Sequence, residues 1–127
     1  MSLSDTERRA RFEKALELAG RTHSVSDVLD KIEMHRAQFW HNGDGSVVTE
    51  VLSYPRMKAV NYWLVSGRLA ECAALQPDID AWARDQGCSI AIATGRLGWL
   101  RLSRTPFGAA WKPRGVQFTK PLLGGLH

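Results

Sequence analysis

Few side chains of this chain could act as nucleophiles or metal ligands. Cys72 and Cys88 do not form a Cys-x-x-Cys pair, so a structural zinc site is not expected. Cys88 could be a nucleophile in principle, but it begins a predicted buried strand without an obvious histidine partner, which favours a structural thiol. His23, His35 and His41 lack the spacing of metal ligands. The sequence therefore predicts no metal site.

A second chemical feature is the basic C-terminal third. The 127 residues carry 17 lysine and arginine side chains against 13 acidic ones, a net charge of +4. From residue 86 onward every charged side chain is basic: Arg96, Arg101, Arg104, Lys112, Arg114 and Lys120. This asymmetry predicts an anionic partner near that region, which could be a phosphate-bearing cofactor, a nucleic acid or an acidic protein surface.

Length and composition exclude several classes of protein. A chain of 127 residues suits one domain, and 44% hydrophobic with 24% charged residues argues against global disorder. No apolar run approaches the roughly 20 residues of a membrane-spanning helix, and the first residues lack the apolar core of a signal peptide. We expect a single domain over 1–127, with a helical part at 1–38, a sheet core at 46–119 and a tail at 120–127. The expected location is the cytoplasm, or a phage virion.

Two helices are predicted at the N-terminus. Ser4–Glu7 has the pattern of a capping box, and the helix that follows runs to about Ala19. A second helix begins at Ser24 or Ser26, because apolar residues then recur at helical spacing, and it runs to about Gln38.

A mixed β-sheet is predicted after these helices. The strand at 58–65 is almost entirely apolar or aromatic, so we expect it at the centre of the sheet. A helix separates it from the strand at 88–94, and the crossover rule makes those two strands parallel. The fold class is therefore α+β, a mixed sheet flanked by helices. The elements are strands 46–52 and 58–65, a short helix or turn at 69–75, a helix at 76–86, a short buried strand at 88–94, a short helix at 95–102, and a hairpin of 109–111 with 116–119.

This order of elements resembles the core of the GNAT superfamily of N-acetyltransferases in a shortened form. The sequence is most similar to small GNAT-like proteins of phages and prophages. The likeness covers roughly two-thirds of the chain. It is carried by Phe39-Trp40, Val48–Val51, Trp63–Gly67, Ile79–Ala83, Gln86–Cys88 and Gly95–Trp99.

The resemblance implies acetyl-CoA as cofactor, held in a V-shaped opening between strands 58–65 and 88–94. Its pyrophosphate would lie against backbone N–H groups of the turn after the first strand, since such turns offer unpaired donors to phosphate. Arg68 would add a charge-assisted contact. The family signature in this turn is Q/R-x-x-G-x-G/A, whereas this chain has Gly67 and no second glycine. The implied cofactor-binding residues are Leu64, Val65, Ser66, Gly67, Arg68, Thr94 and Arg96.

The resemblance also implies a general base, and often an acid for the leaving thiolate. Glu50 is the candidate base, since it lies on the strand beside the implied cofactor strand; the alternative is a carboxylate that merely alternates outward with Val51. The family's acid is usually a tyrosine in the helix after the last core strand, where this chain has Trp99. Tyr62 is the second candidate catalytic residue.

Three functions stay open from the sequence. The first is transfer of an acetyl group to a small-molecule or protein amine. The second is a catalytically inactive GNAT fold that serves as a structural or binding module, with a phage or host protein as partner. The third is nucleic-acid binding through the basic region with its interleaved aromatic residues, although no nucleic-acid-binding motif is present. No membrane partner is expected, and the exposed hairpin edge could serve a homodimer.

Overall fold

The computed structural model describes residues 3–18, 22–94, 110–115 and 117–123. Four helices and four strands occur within these ranges. The helices are α1 (Asp5–Leu18), α2 (Val25–Glu33), α3 (Leu69–Ala74) and α4 (Gln76–Asp85); the strands are β1 (Gln38–His41), β2 (Ser46–Ser53), β3 (Lys58–Ser66) and β4 (Ile90–Ala93). A mixed sheet flanked by helices confirms the predicted α+β class.

The chain separates into two compact units, Met1–Arg96 and Leu97–His127. The first contains all eight of these elements. The described parts of the second contain neither a helix nor a strand, so positions 110–111 and 117–119 do not form the predicted last hairpin. The predicted short helix at 95–102 lies outside the described residues. None of the described helices is long and apolar enough to cross a membrane.

The four strands form one sheet in the order β1-β2-β3-β4. β1 pairs with β2 and β2 with β3 in the antiparallel sense, whereas β3 and β4 are parallel, as the intervening helix requires. The prediction that 58–65 is a central strand is confirmed. β4 is less buried than predicted, because Ile90 at its start and Ala93 at its end are both exposed.

One face of the sheet packs against α1 and α2. The helices contribute an apolar stripe at helical spacing, as predicted, and β2 and β3 contribute one buried side chain each. Phe12 is only 1% exposed and meets Phe39 edge to face at 5.0 Å between ring centroids. The cluster comprises Phe12, Ala15, Leu16, Val28, Ala37, Val48 and Leu64.

The opposite face carries α4. Tyr62 of β3 donates a hydrogen bond to Asp80 of α4, and Trp40 of β1 meets Trp82 of α4 with ring centroids 5.7 Å apart. Thr49 is completely buried here, where it accepts from Trp40 Nε1 at 3.0 Å and donates to the Gln38 side chain at 2.9 Å. This pairing satisfies a polar group that would otherwise be costly to bury.

The predicted end of α2 was wrong by five residues. Ser24 caps the helix through reciprocal hydrogen bonds with Asp27, as the sequence suggested. The helix stops at Glu33 because His35 adopts a left-handed backbone with φ 59°. The His35 N–H then donates to the Ile32 carbonyl and the Arg36 N–H to the Lys31 carbonyl, which are the bonds of a helix C-terminus. The freed segment then forms β1, a strand that the sequence did not predict.

Candidate functional site

The two parallel strands stop pairing part-way along β3. The last pair is Tyr62 with Ala93, after which β3 continues to Ser66 paired with β2. Directly at this point Trp63 is skipped in the register between β2 and β3, which is a β-bulge. A bulge re-aims the strand beside it. The V-shaped cleft between these two strands stays a prediction.

Two of the three predicted cofactor-binding residues of β3 have buried side chains. Leu64 belongs to the apolar cluster beneath α1 and is 2% exposed. Ser66 is buried; its hydroxyl donates to the Arg11 carbonyl, and its own carbonyl accepts the Cys72 thiol. These two residues can therefore offer only backbone groups to a ligand. Val65 between them is half-buried.

The remaining predicted cofactor contacts lie at the carboxyl ends of the two strands. Thr94 is exposed and directly follows β4. Gly67 and Arg68 are exposed and form the turn that leads into α3. Arg96 lies outside the described residues.

The turn after β3 is already in contact with another turn of the same chain. Gly67 has φ 100°, a conformation that glycine adopts without strain. The Arg68 N–H donates to the Asp44 carboxylate at 2.9 Å, and the Asp44 N–H donates in return to the Glu71 carboxylate. The Asn42 amide donates to the Glu71 carbonyl at 2.9 Å. The β1–β2 turn (residues 42–45) is therefore seated on the start of α3.

These contacts bear on the diphosphate of CoA. One backbone donor of the turn is taken by the Asp44 carboxylate, a second glycine is lacking, and the Glu71 carboxylate accepts from the Asp44 N–H. A diphosphate approaching this turn would meet two negative charges and one positive charge. As it stands, the turn after β3 does not fit the diphosphate of CoA.

Glu50 lies on the face of the sheet that carries α2. Its carboxylate accepts from Lys31 Nζ at 3.1 Å, and its side chain is 16% exposed. The same Lys31 ammonium lies 4.7 Å from the ring centroid of Trp63, the bulge residue, and His23 meets that ring on its edge at 4.8 Å. A carboxylate and an aromatic ring thus enclose one ammonium group beside the end of the parallel pairing.

Tyr62 does not share this surface with Glu50. It pairs with Thr49 in the register, and Thr49 and Glu50 point to opposite faces because neighbours on a strand alternate. Burial, followed by the hydrogen bond from its hydroxyl to Asp80 at 2.7 Å, raises the pKa of Tyr62. A hydroxyl held in this way is a poor proton donor to a leaving group near neutral pH.

An open depression of about 830 Å3 borders Glu50. Lys31 and Glu50 line it together with residues at the far ends of β2 and β3, among them Ser53 and Lys58. None of the described residues predicted to bind the cofactor lines it. The depression is therefore a route to Glu50 from the end of the sheet opposite the turn after β3.

Both cysteines are buried, which agrees with the prediction of a structural thiol at Cys88. Burial raises the pKa of the Cys72 thiol, which keeps it protonated as the donor to Ser66. Among the described residues, no three His, Cys, Asp or Glu side chains form a cluster that could hold a metal ion.

Two solved structures share this architecture. An aminoglycoside acetyltransferase from an uncultured soil metagenomic sample, solved in complex with sisomicin, matches with a TM-score of 0.65 and 10% identity over 95% of this chain and 93% of that one. A Trypanosoma brucei acetyltransferase matches with a TM-score of 0.59 and 14% identity over 90% of this chain and 94% of that one. The chain has a GNAT-like fold. No family model and no curated protein matches the sequence. At these identities the likeness establishes the fold alone, and the narrower resemblance to phage proteins stays a prediction.

Sequence reasoning missed three residues that shape the candidate site: Asp44, Lys31 and Trp63 in its role as a bulge. Asp44 stood inside a dense turn signal, His41–Gly45, whose only local meaning was a reversal of the chain. Lys31 lies on α2 at the position that faces Glu50, which only the packing of α2 on the sheet brings about. The bulge at Trp63 has no signal in the sequence, because its neighbours form a continuous apolar run.

Proposed function

We propose that this chain transfers an acyl group from a thioester to a primary amine, the reaction type suggested by its GNAT-like fold. The observation that carries the proposal is the position of Glu50. Its carboxylate lies one strand away from the β3–β4 pair, on the side of the bulge residue Trp63, and it already holds an ammonium group.

The Lys31 contact supports a primary amine as acceptor. Its ammonium lies between the Glu50 carboxylate and the Trp63 ring, and both groups attract a cation. An acceptor ammonium that replaces Lys31 would meet the same two groups. The depression beside Glu50 has a volume of about 830 Å3, which is in the range of sites that hold a small molecule.

Glu50 acts in this proposal as the general base. An ammonium ion is not a nucleophile, so one proton must leave before the nitrogen can attack. The carboxylate accepts that proton, the nitrogen forms a bond to the acyl carbon, and the bond from that carbon to sulfur breaks. The nitrogen loses its second proton as it becomes an amide, and the leaving thiolate takes up that proton, so the products are an amide and a thiol. Tyr62 has no part in this scheme, because it lies on the other face of the sheet and donates to Asp80.

The experiment is an assay of thiol release with acetyl-CoA and with S-acetylpantetheine against a panel of amines that includes aminoglycosides, polyamines and lysine peptides. We expect release that depends on both the protein and the amine, with the acylated amine identified by mass spectrometry. Release at the rate of the protein-free control with every amine and both donors would overturn the proposal.

A second candidate function is a GNAT fold that binds a partner protein without acyl transfer. It is favoured by the exposed apolar side chains in the described part of the second unit, where Phe118 is 90% and Leu122 88% exposed. This candidate predicts no thiol release and a melting temperature that saturating acetyl-CoA does not change, whereas a bound donor would raise it. A rise of the melting temperature with oligonucleotides that is lost at high salt would instead support nucleic-acid binding.

A further inference from the structure

The β1–β2 turn and the start of α3 are held together by a closed set of contacts. Asp44 receives the Arg68 N–H on its carboxylate and gives its own N–H to the Glu71 carboxylate. Asn42 adds the hydrogen bond to the Glu71 carbonyl. Each of the two turns thus supplies donors and acceptors to the other.

The β1–β2 turn is also fixed from its other side. The Arg11 guanidinium of α1 donates to the Gly45 carbonyl at 3.1 Å and to the Ser46 hydroxyl at 2.7 Å, and it also donates to the Gly43 carbonyl. These bonds anchor the turn to α1. The backbone that carries Asp44 is therefore held by α1 as well as by the start of α3.

The approach of the two turns leaves no space between their backbones. A Cβ at Gly67 would lie 2.8 Å from the Asp44 carbonyl carbon and closer still to its oxygen, and a Cβ at Gly45 would lie 2.9 Å from the Cys72 nitrogen. Both glycines are therefore required by the contact. The single glycine of the turn after β3 serves this packing, whereas the family signature uses glycines beside the diphosphate.

We infer that the turn after β3 makes no contact with the diphosphate of the acyl donor, so that the part of the chain that the structure describes recognises the donor through its pantetheine arm. The donor class is then an acyl thioester of pantetheine, with or without an attached nucleotide. The inference rests on the proposed function, because only an acyl transferase has an acyl donor. The missing diphosphate site rests on the contacts of Asp44, Arg68 and Glu71.

The kinetic test compares acetyl-CoA with S-acetylpantetheine, which carries the same thioester and lacks the nucleotide diphosphate. We expect values of kcat/KM that agree within about threefold for the two donors. A preference for acetyl-CoA of about 30-fold or more would overturn the inference, because the nucleotide half would then contribute binding energy.

A matched pair of variants tests the role of Asp44 in the donor preference. Asp44→Asn removes the negative charge that accepts the Arg68 N–H, so the preference should move toward acetyl-CoA. Asp78→Asn, an exposed aspartate in the first turn of α4, changes the net charge equally and should leave the preference unchanged. Equal behaviour of the two variants would contradict the role given to Asp44.

A binding measurement decides the inference without any turnover. In a titration of 15N-labelled protein with ADP, the amide signals of Gly67 and Arg68 should show no saturable shift up to about 10 mM. Saturation below about 1 mM would overturn the inference. If neither thioester is turned over with any amine, the proposed function fails, and the ADP titration still tests the missing diphosphate site.

Discussion

Replacing Gly67 with alanine tests the close approach of the two turns, and Gly87 offers a matched control. Both glycines have a left-handed backbone, with φ 100° at Gly67 and 89° at Gly87. Their surroundings differ: the nearest atom to an added Cβ at Gly87 is the flexible Lys58 side chain at 3.6 Å, whereas at Gly67 it is the Asp44 backbone.

The backbone cost should be similar at the two positions. A left-handed alanine costs about 1–2 kcal/mol, offset by about 0.4–1 kcal/mol from the smaller entropy of the unfolded chain. We therefore expect Gly87→Ala to lower the free energy of unfolding by about 1 kcal/mol. Gly67→Ala must also move the β1–β2 turn away, which breaks the hydrogen bond from Arg68 to Asp44 and the one from Asp44 to Glu71.

Hydrogen bonds to a charged partner contribute about 1.5–3 kcal/mol each, and less at an exposed turn. The expected loss for Gly67→Ala is therefore about 3–5 kcal/mol. Urea unfolding followed by tryptophan fluorescence measures both variants against the wild-type chain. Losses that agree within about 0.5 kcal/mol would refute the close contact between the two turns.

Three further predictions concern single side chains. His35→Gly should raise the free energy of unfolding by about 0.5–1 kcal/mol, since glycine adopts φ 59° without strain; a lower urea midpoint would contradict this. Tyr62→Phe should lose about 1 kcal/mol of stability with the hydrogen bond to Asp80, yet keep kcat within about twofold; a tenfold lower kcat would restore Tyr62 as an acid. Burial lowers the pKa of His41 below its ordinary value of 6.5, so as the pH drops below about 6.5 the unfolded state binds more protons than the folded state and stability decreases. His41→Asn should flatten this loss of stability on acidification, and an unchanged slope would show that another group causes it.

The sheet core was predictable because its signals are local. The hairpin of β2 and β3 is marked by β-branched residues on both sides of the turn at Pro55, and the helix that follows begins at Gln76-Pro77. These elements also fix the parallel pairing of β3 with β4 through the crossover rule. The GNAT-like fold then follows from a pattern that extends over most of the chain.

The end of α2 and the strand β1 could not be predicted in the same way. The left-handed residue that ends α2 is a histidine, and the sequence there has neither glycine nor proline to mark a stop. β1 has only four residues, which is too short for an alternation pattern to be recognised. Its existence depends on pairing with β2.

The candidate site likewise combines features with a local sequence signal and contacts between residues that are distant in the chain. Glu50 and the turn at Gly67 were named as candidates from the sequence, because the resemblance assigns roles to a strand neighbour and to a glycine after a strand, and both are local features. The partners that define their chemistry are distant in the chain: Lys31 reaches Glu50 across 19 positions, and Asp44 reaches Arg68 across 24. Only the packing of α2 and of the β1–β2 turn brings these charges together.

The most direct measurement is the amine-dependent rate of thiol release by Glu50→Gln beside Glu33→Gln, an exposed glutamate of α2. Both variants remove one negative charge and keep the shape of the side chain. If Glu50 is the base, its variant should lose about 100-fold in kcat, whereas the Glu33 variant should retain the wild-type value. Wild-type turnover by Glu50→Gln would contradict the proposed mechanism.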